Sequence, residues 1–537
     1  MRILLVLLFS FIAVVMQAQS KIDILHYKFS IELNDNNDSI YGKAEIKFAA
    51  KKGTNSLALD LSGDMFGKKK GMHVTKATVP YKNPNNSDTP NPGTTHINDK
   101  LVITFWSELS SDDTLLAIID YKGIPSDGLI ISKNKYGNRT FFSDNWPNRA
   151  HYWIPCIDDP ADKASVEFIV TAPSHYQVVS NGVQIEETNL PGNKKLTHYK
   201  EDVVLPTKVM VIGVADFAVS TVGNVDCIPV SSWVYPENKT EGFYDYAMAK
   251  DILAYHINYI GPYAYQKLAN VQSKTKFGGM ENAGAIFYAE YSVTGERMEE
   301  ELLSHEIVHQ WFGDMATEKS FAHFWLSEGF ATYLTHMYIE SKYGIDSLNK
   351  EMRDDRDKVI EFVKRSHRPV VDQTKDYMQL LNANSYQKGS WVLHMLRRQL
   401  GDSVFHQGIR LYYTTYAGKN ADSKDFQQVF ERVSGKDLAQ FFQQWLYTPE
   451  NPSLDMTWKY DVAKKELSLH VKQLQSTNFQ FPLNISMIAA SGARTSNRIE
   501  INKKEADYHF SFPEKPTHLT ADDFVSVLFE AKITELK

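Results

Sequence analysis

The chain has 537 residues, enough for several domains, and its 58 basic and 65 acidic side chains give a net charge of −7. Both signs are scattered, without a basic stripe for nucleic acid or an acidic tail, so we expect no nucleic-acid partner. Only two cysteines occur, which excludes a disulfide scaffold. One bridge between Cys156 and Cys227 stays open as an alternative to two small buried thiols.

The amino terminus, MRILLVLLFSFIAVVMQAQS, combines one basic residue, an apolar run from Ile3 to Met16 and a small Ala18. This pattern predicts a secretory signal peptide over residues 1–18 and therefore an exported protein, periplasmic or extracellular. A membrane anchor is the alternative, but the apolar run is shorter than the roughly 20 residues that a spanning helix needs. We therefore expect no stable membrane span after signal cleavage.

The rest of the chain divides by its hydrophobic period into three predicted domains. Over residues 19–225, short alternating runs such as YGKAEIKF and SVEFIVTAP predict an antiparallel β saddle or sandwich. Over residues 226–450 the period changes to about 3.6, which predicts a mainly helical domain. Alternation returns over residues 451–537, as in ELSLHVKQ, and predicts a small β-sandwich. The predicted fold class is multidomain α+β.

The helical domain carries a candidate metal site in the run LLSHEIVHQWFG and the later EGFATY. His305 and His309 are four residues apart, so on a helix both imidazoles project from one face. Eighteen residues separate His309 from Glu328, enough to turn and begin a second helix whose carboxylate can face the first. Two imidazoles and one carboxylate suit a single zinc ion and leave a fourth position open for water.

The same motif contains a candidate general base. Zinc would lower the pKa of its bound water and polarise a carbonyl group. Glu306, next to the first ligand, is placed to take the proton from that water and to return it to the leaving amine. This reasoning predicts a zinc hydrolase of the thermolysin type.

Several motifs together resemble the gluzincin aminopeptidase family, which includes aminopeptidase N and leukotriene hydrolase. They are GGMENAG at 278–284, HEIVH with EGFATY, YQKG at 386–389, WIPCIDDPADKASVEF at 153–168 and SGKDLAQFFQQWLY at 434–447. The resemblance covers most of the chain. It implies a thermolysin-like catalytic domain between an amino-terminal saddle domain and the carboxy-terminal sandwich.

The resemblance also implies roles for residues outside the metal motif. Glu281, flanked by Met280 and Asn282 in the Met-Glu-Asn motif, would bind the free α-ammonium of a peptide. Gly278 and Gly279 would let the backbone approach the ligand closely. Tyr386 would donate a hydrogen bond to the oxyanion. Phe277 would line the pocket for the first side chain.

The sequence departs from the family in two places. Many members have a Glu or Gln before the Pro-Cys block that helps to hold the substrate amine. Here an ungapped match on Pro155 and Cys156 puts Trp146 at that position, with Asp144 or Asn145 as alternatives after a small shift. The sequence also stops after the third domain, without the long helical domain of larger members. We therefore expect a more open cleft that admits larger peptides.

The sequence thus predicts an exported zinc metallo-aminopeptidase that removes amino-terminal residues from peptides with a free N-terminus. A zinc endopeptidase of related fold is one alternative, and a peptide-binding module without catalytic activity is another. An epoxide hydrolase activity, found in one branch of the family, stays open as a remote alternative. The intact ligand set and Glu306 argue against the binding module, which has no need of a base at that position.

Overall fold

A computed structural model of the protein describes residues 21–63, 70–79 and 93–536. The predicted signal peptide, residues 1–18, lies outside the described residues. Within the described part of the chain, no helix is long and apolar enough to cross a membrane.

The amino-terminal part is built from strands whose side chains alternate between a buried and an exposed face. In the second strand, for example, every other residue from Ile40 to Ala50 is buried. The strands are β1 (Ile22–Glu32), β2 (Ile40–Ala50), β3 (Ser56–Asp60), β4 (Gly71–Thr78), β5 (Gly93–Ile97), β6 (Lys100–Thr104), β7 (Asp113–Ile124), β8 (Leu129–Lys133), β9 (Arg139–Ser143), β10 (Lys163–Pro173), β11 (Gln177–Ser180), β12 (Val183–Leu190), β13 (Lys194–Pro206) and β14 (Ile212–Ala215).

These strands form three sheets. The largest has the order β12-β13-β10-β1-β2-β7-β4, the second β11-β14-β9-β8 and the third β3-β6-β5. All their pairings are antiparallel except β1 with β10, which is parallel. The predicted β-rich amino-terminal domain is therefore confirmed.

A five-stranded sheet begins the central part of the chain. Its strands are β15 (Ala218–Val225), β16 (Ile228–Val234), β17 (Leu268–Ser273), β18 (Gly279–Met280) and β19 (Ala285–Ala289), in the order β15-β16-β17-β19-β18. The change of sheet thus falls between Ala215 and Ala218, whereas the prediction drew the domain boundary after residue 225 because β15 also alternates. The division into domains itself stays a prediction.

Helices make up most of the central part. They are α1 (Lys239–Tyr246), α2 (Ala249–Ile260), α3 (Glu300–His309), α4 (Trp325–Tyr343), α5 (Ile345–Ser366), α6 (Gly389–Leu400), α7 (Asp402–Tyr416), α8 (Ser423–Ser434) and α9 (Ala439–Leu446). Two short parallel strands, β20 (Ala316–Glu318) and β21 (Lys419–Ala421), pair between them. Every residue of α4 from Trp325 to Ile339 is buried, so this helix is the centre around which the others pack.

The carboxy-terminal part consists of two facing sheets, in the orders β26-β23-β22-β28 and β25-β24-β27. The strands are β22 (Ser453–Asp461), β23 (Glu466–Gln473), β24 (Phe481–Ala489), β25 (Arg494–Ile501), β26 (Glu505–Ser511), β27 (Pro516–Ala521) and β28 (Glu530–Glu535). The α+β fold class is confirmed. Cys156 and Cys227 are both free, and Cys227 is exposed, so the expectation that both thiols are buried is wrong for Cys227.

Candidate active site

The three predicted metal ligands converge where α3 crosses α4. The distances are 3.1 Å from His305 Nε2 to His309 Nε2, 3.1 Å from His305 Nε2 to Glu328 Oε2, and 3.3 Å from His309 Nε2 to Glu328 Oε2. Ligand atoms held about 2.1 Å from one tetrahedral centre lie about 3.4 Å apart, so this triangle fits a zinc ion. Within the described residues, no other group of three such side chains comes as close together.

The electrostatics of the ligands follow from their burial and mutual contact. Burial lowers the pKa of His305. For His309, burial also disfavours the charged ring, but the Glu328 carboxylate outweighs it and raises the pKa to about 10. A divalent cation at this point would replace the proton that the carboxylate attracts.

The ring of His309 is oriented by its second nitrogen. Its Nδ1 lies 3.1 Å from the carbonyl oxygen of Phe312 and 3.0 Å from Oγ of Ser327. Donation from Nδ1–H to that carbonyl leaves Nε2 free to bind a metal. Gly313 follows with a φ of +120°, and a Cβ there would overlap Ser327 Oγ. A glycine is therefore needed where α3 ends and the chain turns towards α4.

Glu306, the predicted base, projects from α3 into the same cleft and is 5% exposed. Burial raises its pKa well above the usual value, a shift that His309 opposes and Glu281 reinforces. Its carboxylate packs directly against Gly279, where a Cβ would overlap it. The second glycine of the Gly-Gly pair thus leaves room for the Glu306 side chain. The predicted close approach of this backbone to a ligand stays a prediction.

The predicted amine anchor, Glu281, follows the edge strand β18 and is 5% exposed. Its carboxylate lines the cleft, and its Oε1 is buried without a hydrogen-bond partner in the described part of the protein. A buried acceptor that the protein leaves unpaired is suited to a donor supplied by a ligand.

Gln310, which was not among the residues predicted for the site, holds this loop against α3. Its Nε2 donates to the carbonyl oxygen of Glu281 at 2.6 Å and to Asp314 Oδ2 at 3.0 Å. Its Oε1 accepts from the amide of Gly284 at 2.7 Å and from the hydroxyl of Tyr263 at 3.2 Å. In the sequence, only its position directly after His309 pointed to a role in the site. Its hydrogen bonds reach residues distant along the chain, and a local sequence pattern does not predict such bonds.

Tyr386 lies on a π-helical turn, Asn384–Lys388, that leads into α6. Its ring stacks on His305 with centroids 6.0 Å apart. Desolvation raises the pKa of its hydroxyl well above the usual value, so the hydroxyl stays protonated and can donate a hydrogen bond. The turn that carries Tyr386 lies close to α4 because Gly389 packs directly against Gly329. A Cβ on Gly329 would lie 2.8 Å from the backbone of Gly389.

A cleft of about 660 Å³ contains nearly all of the predicted site residues. Besides the ligands, Glu306, Glu281 and Tyr386, its lining includes Phe277, Gly278, Gly279 and Met280. Asn282 is fully buried behind the cleft and does not line it, and its side-chain amide has no hydrogen-bond partner among the described residues. The structure therefore does not place Asn282 in contact with the cleft.

The structure shows the surroundings of Trp146, Asp144 and Asn145, the three candidates for the family's second amine-binding position. Trp146 lines the cleft beside Phe277, with the rings edge to face at 5.6 Å. Asp144 pairs with Arg149 at 2.5 Å. The amide of Asn145 donates to two backbone carbonyls, and both side chains are fully buried. Neither Asp144 nor Asn145 is among the described residues that line the cleft, whereas Glu281 is.

Comparison with known proteins places this geometry in a family. The family model described as the Peptidase M1 N-terminal domain matches residues 24–209, and the model described as the Peptidase family M1 domain matches residues 244–445. The chain belongs to peptidase family M1. The resemblance read from the motifs is thereby confirmed, since this is the family of aminopeptidase N.

Curated M1 relatives are 26–29% identical to this chain over the residues that align. Probable aminopeptidase 2 of Sulfurisphaera tokodaii is 29% identical over 61% of this chain and 44% of its own length. Tricorn protease-interacting factor F2 of Thermoplasma acidophilum is 27% identical over 75% of this chain and 51% of its own. Aminopeptidase 2 of Candida albicans is 26% identical over 78% and 46%. The chain spans about half the length of the curated M1 relatives it matches.

Proposed function

We propose that the protein is an exported zinc aminopeptidase that hydrolyses the first peptide bond of peptides with a free N-terminus. One observation carries this proposal: the triangle formed by His305, His309 and Glu328 lies in one cleft with Glu306 and Glu281. The names of the M1 relatives support the same reaction class.

One zinc ion is the proposed cofactor, held by His305, His309 and Glu328. The donor set and its 3.1–3.3 Å spacing suit this ion. When bound, zinc would supply a Lewis acid that activates water and polarises a carbonyl group.

The side chains of the cleft provide the proton transfers. The carboxylate of Glu306 accepts a proton from the attacking water and delivers it to the nitrogen of the leaving amine. The hydroxyl of Tyr386, which stacks over His305, donates a hydrogen bond to the carbonyl oxygen as negative charge develops there. Glu306 is buried and Tyr386 is half-buried, so few water molecules compete with Glu306 for the proton.

Glu281 determines which end of a peptide is cut. Its unpaired, buried Oε1 is suited to bind the substrate ammonium, and a blocked N-terminus would leave that carboxylate without a partner. An endopeptidase has no use for a carboxylate there, so Glu281 favours the aminopeptidase over that alternative.

The experiment that tests the proposal compares alanyl p-nitroanilide with its N-acetylated form. We expect hydrolysis of the free amine only, and loss of turnover in Glu306→Gln protein. Equal cleavage of both forms would make the protein an endopeptidase. Full activity of Glu306→Gln protein would contradict the mechanism, and peptide binding with no turnover in the native protein would favour the binding module.

Export is a separate part of the proposal and rests on the amino-terminal pattern. Sequencing the mature protein from its native host should find a terminus near Gln19, and a protein retained inside the cell with residues 1–18 intact would contradict it.

A further inference from the structure

One end of the cleft carries charged side chains to which the proposed reaction assigns no role. These side chains, here called the acidic end, belong to Glu301, His336, Glu351, Asp355 and Lys358, and all of them line the cleft. They come from three helices, α3, α4 and α5.

The acidic end lies on the far side of the metal ligands from Glu281. Helices α3 and α4 run antiparallel, since Glu328 meets His309 whereas Thr335, two turns later, meets Ser304 at 3.1 Å. Glu301 precedes His309 by eight residues, or about 12 Å along the helix axis. The loop of Glu281 is attached at the opposite end of α3.

A bound peptide would therefore run from Glu281 across the metal ligands towards Glu301. An extended peptide advances about 3.3 Å per residue, whereas Glu301 precedes His305 by four residues, or about 6 Å along the helix axis. With the first carbonyl at the metal ligands, the third residue of the peptide comes level with Glu301.

The charges at the acidic end are incompletely paired. Glu351 meets Lys350 at 3.0 Å, and Asp355 meets Lys358 at 3.5 Å, but both lysine side chains are largely exposed. Glu301 makes no hydrogen bond or ion pair in the described part of the protein. Its side chain is exposed where it lines the cleft, and partial desolvation together with the neighbouring Glu351 carboxylate raises its pKa. A cation placed beside Glu301 would offset the repulsion between these two carboxylates.

His336 supplies an independent sign of a ligand. The residue is 5% exposed, and its Nε2 lies 2.9 Å from Asp355 Oδ2, so Nε2–H donates to the carboxylate. In the neutral ring Nδ1 is then an acceptor, and it is buried without a partner among the described residues. A ligand N–H that reached the acidic end would satisfy this acceptor.

We propose that the acidic end is a subsite for a cationic side chain, lysine or arginine, at the third residue of the substrate. Glu301 supplies the unpaired carboxylate and His336 Nδ1 an additional acceptor. The direction of the peptide in this proposal rests on the proposed function. The subsite adds a preference for the side chain of the third residue, which Glu281 does not determine.

The test uses three peptides, Ala-Ala-Lys-Ala, Ala-Ala-Gln-Ala and Ala-Ala-Glu-Ala. We expect kcat/KM for the lysine peptide to exceed that for the glutamine peptide about five- to tenfold, with the glutamate peptide the poorest, and the preference to shrink in 1 M salt. Equal values, while alanyl p-nitroanilide is still cleaved, would overturn the subsite but not the aminopeptidase.

Two variants localise the effect. In Glu301→Gln protein the lysine-to-glutamine ratio should fall towards one. Asp357→Asn is the matched control, because Asp357 is an exposed carboxylate of α5 outside the cleft lining, and its ratio should stay that of the native protein. A ratio unaffected by Glu301→Gln would overturn the proposal.

Binding provides a measurement that does not need turnover. Calorimetric titration of Glu306→Gln protein with the same peptides should show tighter binding of the lysine peptide by the same factor. Equal affinities overturn the subsite, whereas failure of the native protein to cleave the anilide refutes the proposed function, so the two failures are distinguishable.

Discussion

Replacement of Glu281 by glutamine keeps the shape of the side chain and removes its charge. Glu281 is 5% exposed and its Oε1 has no partner in the described structure, so the charge it loses is one that no protein group neutralises directly. Two opposite charges about 4 Å apart attract by about 4 kcal/mol at an effective dielectric constant of about 20. The cost of desolvating the ammonium offsets part of this attraction, so Glu281→Gln should lose about 2–3 kcal/mol of binding free energy for the substrate amine.

The assay is kcat/KM for alanyl p-nitroanilide at neutral pH. A loss of 2–3 kcal/mol corresponds to a decrease of about 30- to 150-fold. Glu296→Gln is the matched control, because Glu296 is exposed and does not line the cleft, and it should leave kcat/KM unchanged. A decrease of less than about threefold in Glu281→Gln protein would refute the reasoning that this carboxylate holds the substrate amine.

Two further predictions concern the scaffold of the site, and a third concerns Asp162, whose carboxylate accepts a hydrogen bond from the backbone of β1. A Cβ on Gly329 would lie 2.8 Å from the backbone of Gly389, so Gly329→Ala should destabilise the protein by about 1–3 kcal/mol in denaturant unfolding, while Gly93→Ala, with open space around it, should not. Gln310→Ala leaves buried hydrogen-bonding groups unpaired and should lower the free energy of unfolding by about 2–4 kcal/mol; an unchanged midpoint would contradict this. Burial raises the pKa of Asp162 to about 7, so the folded state binds a proton that the unfolded chain releases near pH 4, and stability should fall by about 1.4 kcal/mol per unit as pH rises between these values. In Asp162→Asn protein this part of the pH dependence should disappear; an identical slope would contradict it.

The sequence predicted those parts of the site that depend on local geometry. His305 and His309 share a face because any helix places residues four apart on one side. The distance from His309 to Glu328 predicted a second helix, and α4 begins at Trp325, three residues before the carboxylate. Alternation likewise predicted the strands of both β-rich parts, because one face of each sheet is buried.

The parts that could not be predicted depend on contacts between distant segments. The four hydrogen bonds of Gln310 join α3 to loops before and after it, and no spacing in the sequence indicates them. The close approach of Gly329 and Gly389 is a helix crossing that only the packed structure reveals. The residues of β15 alternate in hydrophobicity as those of the amino-terminal strands do, so the pattern alone assigned this strand to the amino-terminal domain. In the structure β15 pairs with β16 in the central sheet.

The proposed function depends on one zinc ion held by His305, His309 and Glu328. Anomalous diffraction from crystals of the purified protein, measured on both sides of the zinc absorption edge, tests it most directly. We expect one peak, about 2.0–2.2 Å from Nε2 of both histidines and from a carboxylate oxygen of Glu328. No peak among these three side chains, or a zinc peak at another site only, would show that they do not form the zinc site.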